Sequence, residues 1–137
     1  MGTLLTNNNN AKIFIWDNRY EEGTYTNVSG SEVSLTKGML MGRISASQKL
    51  VPLASGASNG SQFPVGILAD DYTVDYGESV NVTICIGGDV AEELVTLNGT
   101  DTLATVISSR SIRDRIAADT LGIKLVLGEQ MTAYDNQ

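Results

Sequence analysis

Asp70, Asp71, Asp75 and Glu78 place four carboxylates within nine residues, a density that could hold a calcium ion or supply a carboxylate pair for acid and base work. The run lacks the glycine at the sixth and the glutamate at the twelfth position of an EF-hand loop, so a solvated turn between strands is the expectation. Ser34 and Lys37 form an S-x-x-K pair, the arrangement in which a lysine activates a serine nucleophile. That chemistry wants a helix start and accompanying K-T-G and S-D-N elements. Here the pair falls in an alternating strand and neither element occurs. Cys85 is the sole cysteine, and with no histidine anywhere it has no imidazole to make it a nucleophile, so a structural, half-buried thiol is expected. Gly87-Gly88 matches neither common phosphate-binding glycine pattern, and no cofactor or metal site is expected.

Trp16, with Phe14 and Tyr20 close by, is the one aromatic concentration. A lone tryptophan most often plugs one end of a core. The functional reading is an anchor on a partner, because tryptophan and tyrosine dominate interface hot spots. Sequons begin at Asn27, Asn59, Asn81 and Asn98, and these are read as turn and strand chemistry, since no secretory signal accompanies them.

The elements that must position these residues are strands. The 137 residues suit one domain able to bury about two-thirds of its unfolded surface. The absence of histidine removes most zinc sites and every imidazole-based hydrolase. Nine basic residues against sixteen acidic ones give a net charge of −7 with no basic patch, which argues against nucleic acid and anionic membranes as partners. No disulfide can form within the chain, and no apolar stretch is long enough to span a bilayer, so a soluble, unprocessed protein is expected.

Residues 1–10, with four consecutive asparagines, read as a flexible arm; residues 11–128 read as the folded domain and 129–137 as a tail. Short strands are expected at 12–16, 23–28 and 32–36, then either side of Ser45–Lys49, with Pro52 marking an edge or bulge, and at 63–69. Val80, Val82, Ile84 and Ile86 alternate with polar or small residues, which predicts a strand with Cys85 pointing away from the valine and isoleucine face. After the Asn98-Gly99 turn, Thr100 or Asp101 could cap a helix running to about Ala118, supported by an Arg110–Asp114 pair four apart. Its stripe of Leu103, Val106 and Ile107 lies opposite Ile112 and Ile116, so the helix either breaks near Ser108 to Ser111 or is covered on both faces. A final strand alternates through Leu121 to Leu127. The fold class expected is mainly β with one short helix near the C-terminal third, as two packed sheets or a distorted small barrel.

Several segments in this order carry a resemblance: Thr36 to Met41, then Gln48 to Leu53, the loop Gly56 to Ser61, and Phe63-Pro64-Val65-Gly66-Ile67-Leu68-Ala69. Their order and spacing resemble the head decoration proteins of lambda-type tailed bacteriophages, and the resemblance continues through Ser79 to Val90 and Arg113 to Val126. It covers about residues 30 to 127, with Lys12 to Val28 and Met131 to Gln137 as departures.

The resemblance implies a small β-tulip-like domain with a flexible N-terminal arm and no enzymatic activity. It implies a capsid cement protein that binds as a homotrimer on the outside of the expanded phage head, at three-fold positions of the major capsid protein, against the pressure of packaged DNA. The residues expected to contact the capsid are Leu4, Leu5, Lys12, Ile13, Phe14, Ile15 and Trp16, acting by strand addition. The alternatives are another virion module, in a tail or fibre, or a small hydrolase using Ser34 with Lys37 or Asp71 with Asp75.

Overall fold

The computed structural model describes residues 13–127. Its main sheet holds β1 (Phe14–Thr26), β3 (Leu40–Arg43), β4 (Leu50–Pro52), β5 (Pro64–Leu68) and β7 (Ser79–Ala91) in the order β1-β7-β5-β3-β4. β10 (Ile123–Val126) adds to β7 in parallel. A separate ribbon pairs β2 (Val33–Leu35) with β6 (Tyr72–Val74), and a hairpin pairs β8 (Val106–Ile107) with β9 (Arg110–Ser111). The main sheet curls until β1 meets β4. A Cβ at Gly23 would stand 2.8 Å from Leu50 Cγ, so the lack of a side chain there lets the two ends of the sheet approach.

β7 separates two apolar clusters. Val82 and Ile84 face one, with Tyr25, Leu35, Met41, Leu50, Leu68 and Val74. Cys85 and Val90 belong to the other, with Leu40, Leu53, Ile67 and the isoleucines at 107, 112, 116 and 123. Cys85 therefore points away from Val82 and Ile84 as the alternation requires, but into a second core, and it is fully buried rather than half-buried. β7 is covered on both faces only from about Cys85 onward; before it, Asn81 and Thr83 keep the other face polar, which leaves the alternation of Val80, Val82 and Ile84 plain.

The expected helix from Thr100 to Ala118 forms only at its end, as α1 (Ile112–Asp119). Asp101 serves elsewhere, accepting from Ser55 Oγ at 2.6 Å and Ser55 N at 3.2 Å. The break at Ser108 to Ser111 is a two-residue hairpin turn in which Ser108 (φ 50°) and Ser109 (φ 76°) are both left-handed. The turn brings Ile107 into the core that also receives Ile112 and Ile116, which reconciles the two opposed stripes. Ser111 caps α1 by accepting from Asp114 N at 3.2 Å. Eight residues are too few to hold a helix by themselves. Arg115 fastens it, donating to Ile107 O at 2.6 Å and Ser108 O at 3.1 Å while its guanidinium lies 4.7 Å from the centre of the Phe63 ring. The ion pair four apart is Arg115–Asp119 at 3.3 Å, not Arg110–Asp114, because Arg110 still belongs to β9.

The three N-terminal strands expected at 12–16, 23–28 and 32–36 are two: β1 runs unbroken through Asp17-Asn18, and only β2 stands apart. Asn27, fully buried, closes the end of β1. Its amide donates to Ser31 O at 2.7 Å and Val74 O at 2.8 Å and accepts from Ser29 N and Oγ.

Candidate functional site

Where β1 enters the fold its pairing becomes irregular. The ladder with β7 is regular from Tyr20 opposite Cys85 to Thr26 opposite Ser79, but the register shifts three times between Phe14 and Tyr20. Extra residues in one strand bend it and re-aim its side chains. Two backbones make this possible. Asp17 is left-handed, at φ 53°, and Gly88 opposite has φ 98°. A Cβ at Gly88 would stand 2.7 Å from Trp16 O, so only glycine allows the strands to pass this closely.

The bulge is held on several sides. Asn18 Nδ2 donates to Asp89 O at 3.0 Å, and Arg19 Nη2 donates to Leu121 O at 2.7 Å. Phe14 and Tyr20 meet edge to face with centroids 5.8 Å apart, and Lys37 Nζ lies 5.9 Å from the Phe14 centroid. The outcome for the side chains is a sharp division. Ile13 is 4% exposed in the core and its carbonyl accepts from Ala91 N at 2.8 Å, whereas Trp16 is 68% exposed and Tyr20 49%. Trp16 does not plug the core. A large apolar side chain held outward on a fixed backbone has the character of an interface anchor. Phe14 and Ile15 are half-buried, and Leu4, Leu5 and Lys12 lie outside the described residues.

The other constellations do not assemble into chemistry. Lys37 Nζ is drawn to the Phe14 ring, while Ser34 is an exposed β2 residue paired with Thr73. Asp71 accepts from Lys37 N at 2.7 Å, Asp70 from Asp71 N at 2.9 Å and Glu78 from Asp75 N at 3.2 Å, so these carboxylates fasten turns. Burial is the main cause pushing the Cys85 thiol pKa up, which suppresses the thiolate that nucleophilic chemistry uses. A groove of about 290 Å³ lies beside Glu21, Arg43 and Asp119, but these charges are already paired, Glu21 with Arg43 at 2.8 Å and Asp119 with Arg115.

Residues 3–106 match the family described as bacteriophage lambda head decoration protein D. The chain belongs to that family. This head decoration protein is thus a structural component of a phage capsid, from a family of structural capsid proteins and not of enzymes. No curated protein matches it. The matched stretch takes in β1 and the residues before it, which the resemblance from about residue 30 leaves aside, and ends at Val106, before α1 and β10. The bulge that exposes Trp16 lies wholly within it. Sequence reasoning singled out Trp16 from its residue type, its aromatic neighbours Phe14 and Tyr20 and its place just after residues 1–10. It missed Gly88, Asn18 and Arg19, which set the side chain's direction, because a bulge leaves no periodic signal.

Proposed function

We propose that this head decoration protein is a capsid cement. It binds the outer surface of the expanded head as a homotrimer, at three-fold positions of the major capsid protein, and stabilises the shell against the pressure of packaged DNA. The observation that carries this is the family match across β1, β3, β4, β5 and β7, joined to the outward Trp16 near the start of β1. The proposed capsid contact comprises Leu4, Leu5, Lys12 and Trp16, with the half-buried Phe14 and Ile15 beside them; Ile13 contributes to the core instead. Residues 1–10 act as an arm that adds a strand to an exposed edge of the capsid protein, with 11–128 as the body and 129–137 as a tail. Three arms on one trimer meet their sites at an effective concentration on the order of mM, so that modest single contacts hold firmly. The chain's net charge of −7 keeps it off packaged DNA.

Co-sedimentation with expanded and unexpanded heads tests the reading. Saturable binding to expanded shells alone is expected, and equal binding to both forms or to neither overturns it. Deleting residues 2–10 tests the arm separately, since unchanged affinity would remove the arm mechanism while leaving the cement function standing.

A further inference from the structure

The chain contains two Asn-Gly dipeptides, Asn59-Gly60 and Asn98-Gly99, and the fold treats them in opposite ways. In such a pair the glycine nitrogen can attack the asparagine side-chain amide carbon. A C–N bond forms, the amide nitrogen leaves as ammonia carrying the glycine proton, and a succinimide ring results. Water then opens the ring at either carbonyl, giving aspartate or isoaspartate. Solvent water is the only co-reactant. The step needs a glycine nitrogen free of hydrogen bonds, an unrestrained amide, and a backbone able to rotate.

Asn59-Gly60 meets none of these conditions. Gly60 N donates to Gln62 Oε1 at 2.9 Å, and Asn59 Oδ1 accepts from Ser61 Oγ at 2.6 Å and Ser61 N at 3.1 Å. The Asn59 carbonyl accepts from Ser45 N at 2.8 Å, and a Cβ at Gly60 would stand 2.8 Å from Arg43 O, so the backbone is hemmed in. Asn98-Gly99 meets all of them. Both residues are exposed, neither the Asn98 amide nor the Gly99 nitrogen makes a hydrogen bond among the described residues, and nothing lies within 4 Å of a Cβ built on Gly99.

We propose that Asn98 is a spontaneous modification site that converts through a succinimide to aspartate and isoaspartate, while Asn59 is held unreactive by its hydrogen bonds. The product places a new negative charge on a chain of net −7, three residues from the Asp101 that grips Ser55. Isoaspartate also inserts a backbone methylene between Asp101 and Thr96, which is bridged to Met39.

The test is prolonged incubation of the full chain in mildly alkaline buffer, with peptide mapping and isoaspartate detection, in native buffer and in denaturant. Conversion in native buffer is expected at least about tenfold faster at residue 98 than at 59, about 1.4 kcal/mol in barrier, and denaturant should bring residue 59 up to the rate at 98. An Asn98→Gln variant should lose the native-state product and keep the residue 59 behaviour. Equal native rates at the two sites overturn the proposal, as does a native Asn98 that stays intact under conditions where the denatured chain converts it.

Discussion

The carbonyl oxygen of Trp16 and the α-carbon of Gly88 sit so close that a Cβ on residue 88 would lie 2.7 Å from that oxygen. Gly88 also holds φ at 98°, a conformation that side-chain-bearing residues rarely adopt. The outward aim of Trp16 thus depends on a residue in the opposite strand.

Gly88→Ala should therefore cost about 1 to 3 kcal/mol of stability, from strain and from forcing β1 away from β7. Because the bulge would be redrawn, the emission of Trp16, the protein's single tryptophan, should also change. Chemical denaturation and steady-state fluorescence check both. A variant with unaltered midpoint and spectrum would mean that the two strands tolerate a wider separation.

Trp16→Ala and Ile13→Ala should separate docking from folding, although the two positions are three residues apart. The exposed tryptophan leaves stability within about 0.5 kcal/mol of the parent, while on the proposed docking its loss weakens head binding by about 2 kcal/mol or more. The buried isoleucine costs about 2 to 5 kcal/mol of stability through the cavity it leaves. Denaturation midpoints and head titration measure the two axes. Undiminished head affinity in the tryptophan variant would move the contact elsewhere on the body.

Strand content was legible wherever burial is one-sided or pattern and turn agree, as at Val80 to Ile86 and at Phe63 to Ala69. What escaped were features decided by tertiary contacts. Ser108-Ser109 gives no hairpin signal, because a turn with two left-handed residues usually advertises itself with asparagine and glycine; Arg115 holds this one by binding the Ile107 and Ser108 carbonyls. Asp17-Asn18 looks like a strand end, yet Asn18 continues the strand by donating to Asp89 O. The second core behind Cys85 could not be read from β7 alone, since most of its other members come from β3, β5, β8, α1 and β10, with Ile13 and Leu53 beside them. Trp16 was identifiable as a candidate, but its exposure is written in Gly88.

Asn27→Ala should destabilise the far end of β1. The substitution strips its partner from the buried Val74 carbonyl and removes the Asn27 bonds to the Ser31 carbonyl and the Ser29 amide at the rim. A loss on the order of 2 to 3 kcal/mol is expected by urea denaturation, with Ser29→Ala, which removes one hydroxyl at the rim, costing far less. Equal costs would show that water replaces the Asn27 amide.

Stability should fall in mild alkali because of Cys85. Burial raises the thiol pKa in the folded state, whereas the unfolded chain ionises near the ordinary value of about 8.5. Below that value the thiol is protonated in both states and its contribution is complete. As the pH rises past it, the unfolded state loses its proton first, becomes favoured, and the loss continues until the folded pKa is reached. Tyr25, raised by burial, and Tyr20, raised by partial desolvation and by the neighbouring Cys85 charge, add a second decline that begins about one and a half units higher. Denaturation midpoints measured from neutral pH to about pH 9.5, below the usual tyrosine range, should therefore decline for the parent and stay flatter for Cys85→Ala, whose lower starting stability does not affect the slope. Parallel slopes for the two proteins would assign the decline to groups other than the thiol.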